Sequence, residues 1–172
     1  MNNKPTPRAL KSIRAFSYLK ISELEDLVEM VEVEQYGEGQ RILQEFGKEF
    51  PYMYFILKGS VNVIVEKLDH TQAYITLLGD GESFGETGLF PQLERTASID
   101  AAQDCQVVKL HRQKLLEFIT HRPAAGIKVL MMLIYGLLAK LRGLNQELAF
   151  ERQTSGDQID VDALVQDFFK GL

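Results

Sequence analysis

Hydrophobic positions along this chain change period twice. Near the N-terminus they recur at helical spacing. Leu10, Ile13 and Phe16-Ser17-Tyr18-Leu19 make a rough stripe, and Leu24, Leu27, Val28 and Val31 share one face of a further helix. Ser22-Glu23-Leu24-Glu25 reads as the capping box that opens it, with Ser22 as N-cap and Glu25 reaching back. Residues 1–7, with two prolines among polar neighbours, read as disordered. From Val33 the period shortens. After a turn at Tyr36-Gly37-Glu38-Gly39-Gln40 come short apolar segments at 41–43, 53–57, 60–65 and 73–78, the last three joined by hairpin-like turns at Lys58-Gly59 and Asp69-His70. Val61, Val63 and Val65 alternate with Asn62, Ile64 and Glu66, as a sheet with one buried face requires. Two more strands are expected at 97–99 and 105–110. Strands this short and this evenly spaced predict a small antiparallel barrel or jelly roll.

The period then returns to helical. A helix is expected over 112–120, ending before Arg122-Pro123. In the next, Ile127, Leu130, Ile134, Leu137, Leu141, Leu144 and Leu148 are spaced alternately by three and four, the heptad seam of a two-stranded coiled coil. Its two readings are a homodimer through the 127–148 helix or a stripe packed on its own barrel. Gly136 and Gly143 weaken this helix by roughly 1 kcal/mol each and either allow close packing or mark a hinge. Thr154-Ser155-Gly156-Asp157 breaks the pattern. Val161, Leu164, Val165, Phe168, Phe169 and Leu172 then make a short amphipathic helix that needs a covering surface, on its own domain, a dimer mate or a protein partner. The division expected is a domain over 8–150 and a linker with a short helix over 151–172.

Composition narrows the function. The 172 residues are 45% hydrophobic and 25% charged, as in soluble globular domains. With 24 acidic against 19 basic residues, the formal charge is −5, which disfavours sequence-independent binding to nucleic acid. The single cysteine, Cys105, rules out an intrachain disulfide. No signal peptide is visible, and the apolar run 129–139 falls short of the roughly 20 residues of a spanning helix. The expectation is a cytoplasmic protein with no membrane partner. His70, His111, His121 and Cys105 lack metal-ligand spacing, and Gly79, Gly81 and Gly85 lack the spacing and βαβ context of a dinucleotide loop. With no nucleophile–base pair either, neither catalysis, cofactor nor metal is expected.

The stretch that carries chemistry is Ser83-Phe84-Gly85-Glu86-Thr87-Gly88-Leu89-Phe90, followed by Arg95-Thr96-Ala97-Ser98-Ile99. Gly85 and Gly88 let the backbone turn tightly and approach a ligand. A helical turn beginning near Glu86 aims amides at an anion, and Arg95 can clamp that anion with its fork of donors. Glu86 repels an anion, so it fits beside one only by accepting a hydrogen bond from a neutral hydroxyl. A ligand with an anion at one end and a sugar hydroxyl a few ångströms away meets both demands.

This stretch resembles the phosphate-binding cassette of the cyclic nucleotide-binding domain, the family of the catabolite activator protein, kinase regulatory subunits and gated channels. Its pattern, Phe-Gly-Glu-x-(Ala/Gly)-Leu and then Arg-(Thr/Ser/Ala)-Ala-(Ser/Thr)-(Val/Ile), is met by Phe84-Gly85-Glu86-Thr87-Gly88-Leu89 and Arg95-Thr96-Ala97-Ser98-Ile99. The likeness covers about residues 15–150, where Tyr54-Phe55-Ile56-Leu57-Lys58-Gly59-Ser60-Val61 looks like the family's paired strands and their glycine turn.

The resemblance implies a mainly β fold with flanking helices: an antiparallel, jelly-roll-like β-roll (a double-stranded β-helix) followed by a long C-terminal helix. It implies a regulatory domain that binds cAMP or cGMP and signals through helix movement and dimer geometry. Phe84, Gly85, Glu86, Thr87, Gly88, Leu89, Arg95, Thr96 and Ala97 are the ligand-binding residues it implies, with Arg95 on the cyclic phosphate, Glu86 on the ribose 2′-OH, and Gly85, Thr87 and Gly88 offering amides. Thr96 makes cGMP possible, since a threonine there can bond the guanine amino group. The long helix carries no Thr-Ser pair to cap an adenine near Ala139-Lys140-Leu141; Lys140 and Arg142 have two readings, a cover for the base or, the favoured one, solvated helix cations. Val63, Ile75 and Leu77 are candidates for lining a base pocket. The alternatives are a nucleotide-free β-roll interaction module and a truncated transcription regulator of the catabolite activator type.

Overall fold

The computed structural model describes residues 4–47, 51–67 and 69–151, with side chains given through residue 146. The expected helix at 161–172 lies outside the described residues. Helix α1 (Pro7–Lys11) and a 3-10 turn (Arg14–Phe16) lead into α2 (Ile21–Met30). Eight strands follow: β1 (Val31–Tyr36), β2 (Arg41–Leu43), β3 (Tyr52–Lys58), β4 (Val61–Glu66), β5 (Gln72–Leu78), β6 (Ser83–Phe84), β7 (Ser98–Ala101) and β8 (Cys105–His111). A second 3-10 turn (Glu86–Leu89) separates β6 from β7, and α3 (Arg112–His121) and α4 (Pro123–Glu151) complete the described chain. The strands form two antiparallel four-stranded sheets, ordered β1-β8-β3-β6 and β2-β7-β4-β5. This is the mainly β roll with flanking helices and a long last helix.

Strand β3 explains how the layers share a core. Met53 and Phe55 point to the helices, where they meet Leu10, Phe16, Leu24, Leu110, Phe118 and Val129. Tyr54 and Ile56 point between the sheets, where they meet Leu43, Val61, Phe84, Ile99 and Val107. Buried on both faces, β3 reads as a continuous apolar run. Phe16 and Phe55 tilt against each other with centroids 4.7 Å apart.

Several expectations need correction. Residues 4–7 are structured: the Thr6 hydroxyl accepts from the Ala9 amide at 3.1 Å, capping α1. Lys4 Nζ donates to the carbonyls of Val28 and Glu29 at 3.1 and 2.8 Å, satisfying the end of α2. Helix α2 starts one residue before Ser22, and Glu23 rather than Glu25 reaches back, accepting from the Lys20 amide at 2.7 Å. That register still puts Leu24 and Leu27 in the core. In β4, Val61 and Ile64 are buried. Pairing runs Val63 to Thr76 but Ile64 to Tyr74, so Ile75 is an extra residue in β5, and this bulge breaks the expected alternation. Strands β1 and β6 were not among those expected.

Helix α4 carries a 24-residue stretch, Pro123–Gln146, that by length and composition could cross a membrane, contrary to the reading of its apolar run as too short. Lys128 and Lys140 punctuate it, and each meets a carboxylate of the domain: Glu23 at 3.6 Å and Glu86 at 2.5 Å. Its inner face buries Ala125, Val129, Met132 and Leu133. The expected seam lies mostly away from that face, with Leu144 bordering the space between α4 and the roll. Ile127, Leu130, Ile134, Leu137, Leu141 and Leu144 are exposed, Ile134 by 49% and Leu141 by 53%. Most of the stripe is therefore not buried against its own barrel.

Candidate functional site

The site is built where β6 ends. Phe84 stacks on Tyr54 with centroids 5.1 Å apart and planes 3° from parallel, fixing the strand inside the roll. Gly85 then adopts φ +73, a left-handed conformation open to glycine at little cost. The Glu86–Leu89 turn follows. At Gly88 a Cβ would lie 2.3 Å from the Tyr52 carbonyl oxygen and 2.7 Å from Arg95 Nη2, so only glycine lets the turn lie against them.

Arg95 is 5% exposed. Its Nη1 donates to the Gly85 carbonyl at 2.7 Å and its Nη2 to the Tyr52 carbonyl at 3.0 Å, tying the cassette to β3. Burial pulls the guanidinium below its ordinary value, while Tyr54 and Glu86 act in the opposite sense. The Arg95 fork of donors, buried at the edge of a cavity, makes this corner favourable for an anionic ligand group.

Glu86 stands on the same turn. Its Oε1 accepts from the Ser83 hydroxyl at 3.2 Å and from Lys140 Nζ at 2.5 Å. Lys140 also donates to the Ser83 carbonyl at 2.6 Å. The expectation that Lys140 is a solvated helix cation is thus corrected. Its position one helical turn beyond Gly136 turns it toward the roll, and the Glu86 carboxylate draws it in.

Between the roll and α4 lies a cavity of about 580 Å³. Phe84, Gly85, Glu86, Thr87, Arg95, Thr96 and Ala97 all line it. Two expected residues do not: Gly88 lies behind, by a second hollow of about 590 Å³ that Arg95 also borders, and Leu89 packs against the helical core. Val63, Ile75 and Leu77, the candidates for a base pocket, form an apolar wall of the cavity. Gly136 and Gly143 face the opening with nothing within 4 Å of where a Cβ would stand, so their smallness leaves space rather than close contact. Sequence reasoning missed Met132, Tyr135 and Ser83 as lining residues. The helical period could have found the first two, since they share the inner face with Val129.

One wall therefore offers a guanidinium, the floor a carboxylate that accepts hydroxyl donors, and the far wall apolar side chains. Among the described residues no group of three or more metal-ligating side chains stands together.

Comparison with known proteins fits this geometry. The model of the family described as "Cyclic nucleotide-binding domain" matches residues 33–122, just over half of the chain. The cAMP-activated global transcriptional regulator CRP of Pasteurella multocida is 30% identical over 104 residues, covering 60% of this chain and 48% of that protein. The chain spans about half the length of the curated relatives it matches. Among solved structures, a cyclic nucleotide-binding domain from Methylobacillus flagellatus superposes with a TM-score of 0.77 at 23% identity, covering 91% of this chain and 90% of that one. The catabolite activator protein of Thermus thermophilus superposes with a TM-score of 0.67 at 27% identity, covering 81% and 63%. The chain belongs to the cyclic nucleotide-binding domain family.

Proposed function

We propose that this domain binds a cyclic mononucleotide, cAMP or cGMP, as a regulatory ligand. The observation that carries the reading is that Arg95 and Glu86 line one cavity of about 580 Å³ without filling it. The cyclic phosphate pairs with Arg95, the ribose 2′-OH donates to Glu86, and the base lies along Val63, Ile75 and Leu77 with α4 above it. Thr96, exposed at the rim, is within the lining and can meet a guanine amino group. One such bond is worth about 1 kcal/mol, less than tenfold in affinity, so both nucleotides bind within an order of magnitude.

The output runs through α4. Its exposed leucine–isoleucine seam supports a homodimer in which two copies of α4 face each other. Ligand binding shifts the position of α4 on the roll and with it the dimer geometry. Displacement of a fluorescent cyclic nucleotide tests the ligand class: cAMP and cGMP compete, and 5′-AMP, which lacks the cyclic phosphate, does not. A second reading, a nucleotide-free interaction module, is favoured by one observation, that Lys140 already occupies an oxygen of Glu86. Failure of both cyclic nucleotides to compete would establish it.

A further inference from the structure

Lys140 makes two contacts, both to the cassette: Nζ lies 2.5 Å from Glu86 Oε1 and 2.6 Å from the Ser83 carbonyl oxygen. Both ends of the ion pair are largely withdrawn from water, with side-chain exposures of 30% and 22%. Ser83 begins β6 and Glu86 begins the turn, so one ammonium spans the start of the cassette from the helix above it. On either side of Lys140, the residues Leu137, Leu141 and Leu144 belong to the exposed seam. Gly136 and Gly143 flank the same inner face and give it no side-chain packing within 4 Å. The polar tie therefore joins this part of α4 to the roll, beside Tyr135, Ala139 and Leu144, which border the cavity.

We infer that Lys140 is a specificity-determining latch: it holds the Glu86 carboxylate against α4, and only a ligand bearing a sugar hydroxyl at that carboxylate competes it away and frees the helix. The inference rests on the cyclic-nucleotide reading of the cavity. The chemistry is an exchange of donors on one oxygen. An ammonium hydrogen bond to Glu86 is replaced by a neutral hydroxyl, and the ammonium returns to solvent. A 2′-deoxy ligand has no donor to offer and leaves the latch shut. Pocket occupancy and helix release are thereby separable, with the ribose and not the phosphate as the trigger.

The test uses the full chain and three proteins: wild type, Lys140→Met, which keeps the stem and removes the charge, and Lys140→Arg, which keeps the charge. Affinities for cAMP and 2′-deoxy-cAMP are measured by calorimetry, and amide hydrogen exchange is followed without nucleotide. In Lys140→Met the preference for cAMP over its deoxy analogue rises by roughly fivefold, the size of a partly exposed ion pair no longer opposing the hydroxyl. Lys140→Arg stays close to wild type. Without nucleotide, Lys140→Met exchanges faster at residues 83–88 and 137–143 while β3 and β8 are unchanged. An unchanged preference, or an equal loss of both ligands, would overturn the latch and make Lys140 a plain contact to the ligand. Absence of binding by all three proteins overturns the nucleotide reading and the competition with it. Unaltered exchange at both segments overturns the tie itself.

Discussion

Arg95 ties a structural role to the recognition role proposed for it. Its guanidinium closes the cassette by bonding the carbonyls of Gly85 and Tyr52, and those bonds aim it at the cavity. A lysine has a single compact ammonium and no planar fork, so it cannot reproduce the two-nitrogen geometry with which Arg95 reaches both carbonyls and faces the cavity. Arg95→Lys is therefore expected to lose affinity for cAMP by at least tenfold with little loss of folding, read by calorimetry and far-ultraviolet dichroism. Gly88→Ala has the opposite signature. Its Cβ meets the Tyr52 carbonyl at 2.3 Å, and relieving that overlap displaces the turn at a cost of about 1–3 kcal/mol. A lowered midpoint in denaturant unfolding checks it; an unchanged midpoint would show that the turn is looser than its geometry implies.

At this scale the cassette was legible because its parts are contiguous: Gly85, Glu86 and Arg95 lie within eleven residues of one another. Lys140 was not. Its partner is 54 positions away, and which way a helix cation points depends on the rotation of α4 against the roll.

At the scale of elements, the short strands and helix periods were readable where burial is one-sided or continuous. Strand β1 escaped although Val31-Glu32-Val33-Glu34 alternates, because Val31 also completes the apolar face of α2 and serves both elements. Strand β6, two residues long, is shorter than any period can reveal. The bulge at Ile75 depends on strand pairing, not on local pattern.

Strand pairing also sets up a pH dependence. Glu34 on β1 accepts from Lys109 Nζ on β8 at 2.5 Å and from the Tyr36 hydroxyl at 2.5 Å. Lys109 also stands over the Tyr52 ring, 4.8 Å from its centroid. Burial would raise the Glu34 carboxyl, but the Lys109 and Tyr36 bonds outweigh it and hold it below 4.5. A depressed carboxyl contributes stability that is present above its ordinary value and lost as pH falls through its folded value. Glu34→Gln is expected to be less stable than wild type near neutral pH by at most about 1 kcal/mol, given the solvent screening of a partly exposed pair. That difference shrinks as pH drops below 4.5. Urea unfolding at pH 7 and pH 3 checks it, and an equal difference at both would remove the ion pair from the account.

For the whole molecule, α4 is the element that faces two ways. Ala125, Val129 and Met132 close the core, Lys140 meets the cassette, and the Ile134, Leu137 and Leu141 side faces outward. Charging that side should leave the fold intact and separate the copies. Light scattering is expected to give twice 19.5 kDa for wild type and 19.5 kDa for a Leu137→Lys, Leu141→Lys double variant. A monomeric wild type would assign the seam to another partner.

In the proposed function, Arg95 and Glu86 together make one cavity a cyclic-nucleotide site. Calorimetric titration of the full chain with cAMP and cGMP, beside Arg95→Ala, tests it most directly. Wild type is expected to show saturable one-site binding and Arg95→Ala a loss of more than a hundredfold, since a phosphate there loses a partner worth about 3–5 kcal/mol. Heat of binding that is absent in wild type, or undiminished in Arg95→Ala, would contradict it.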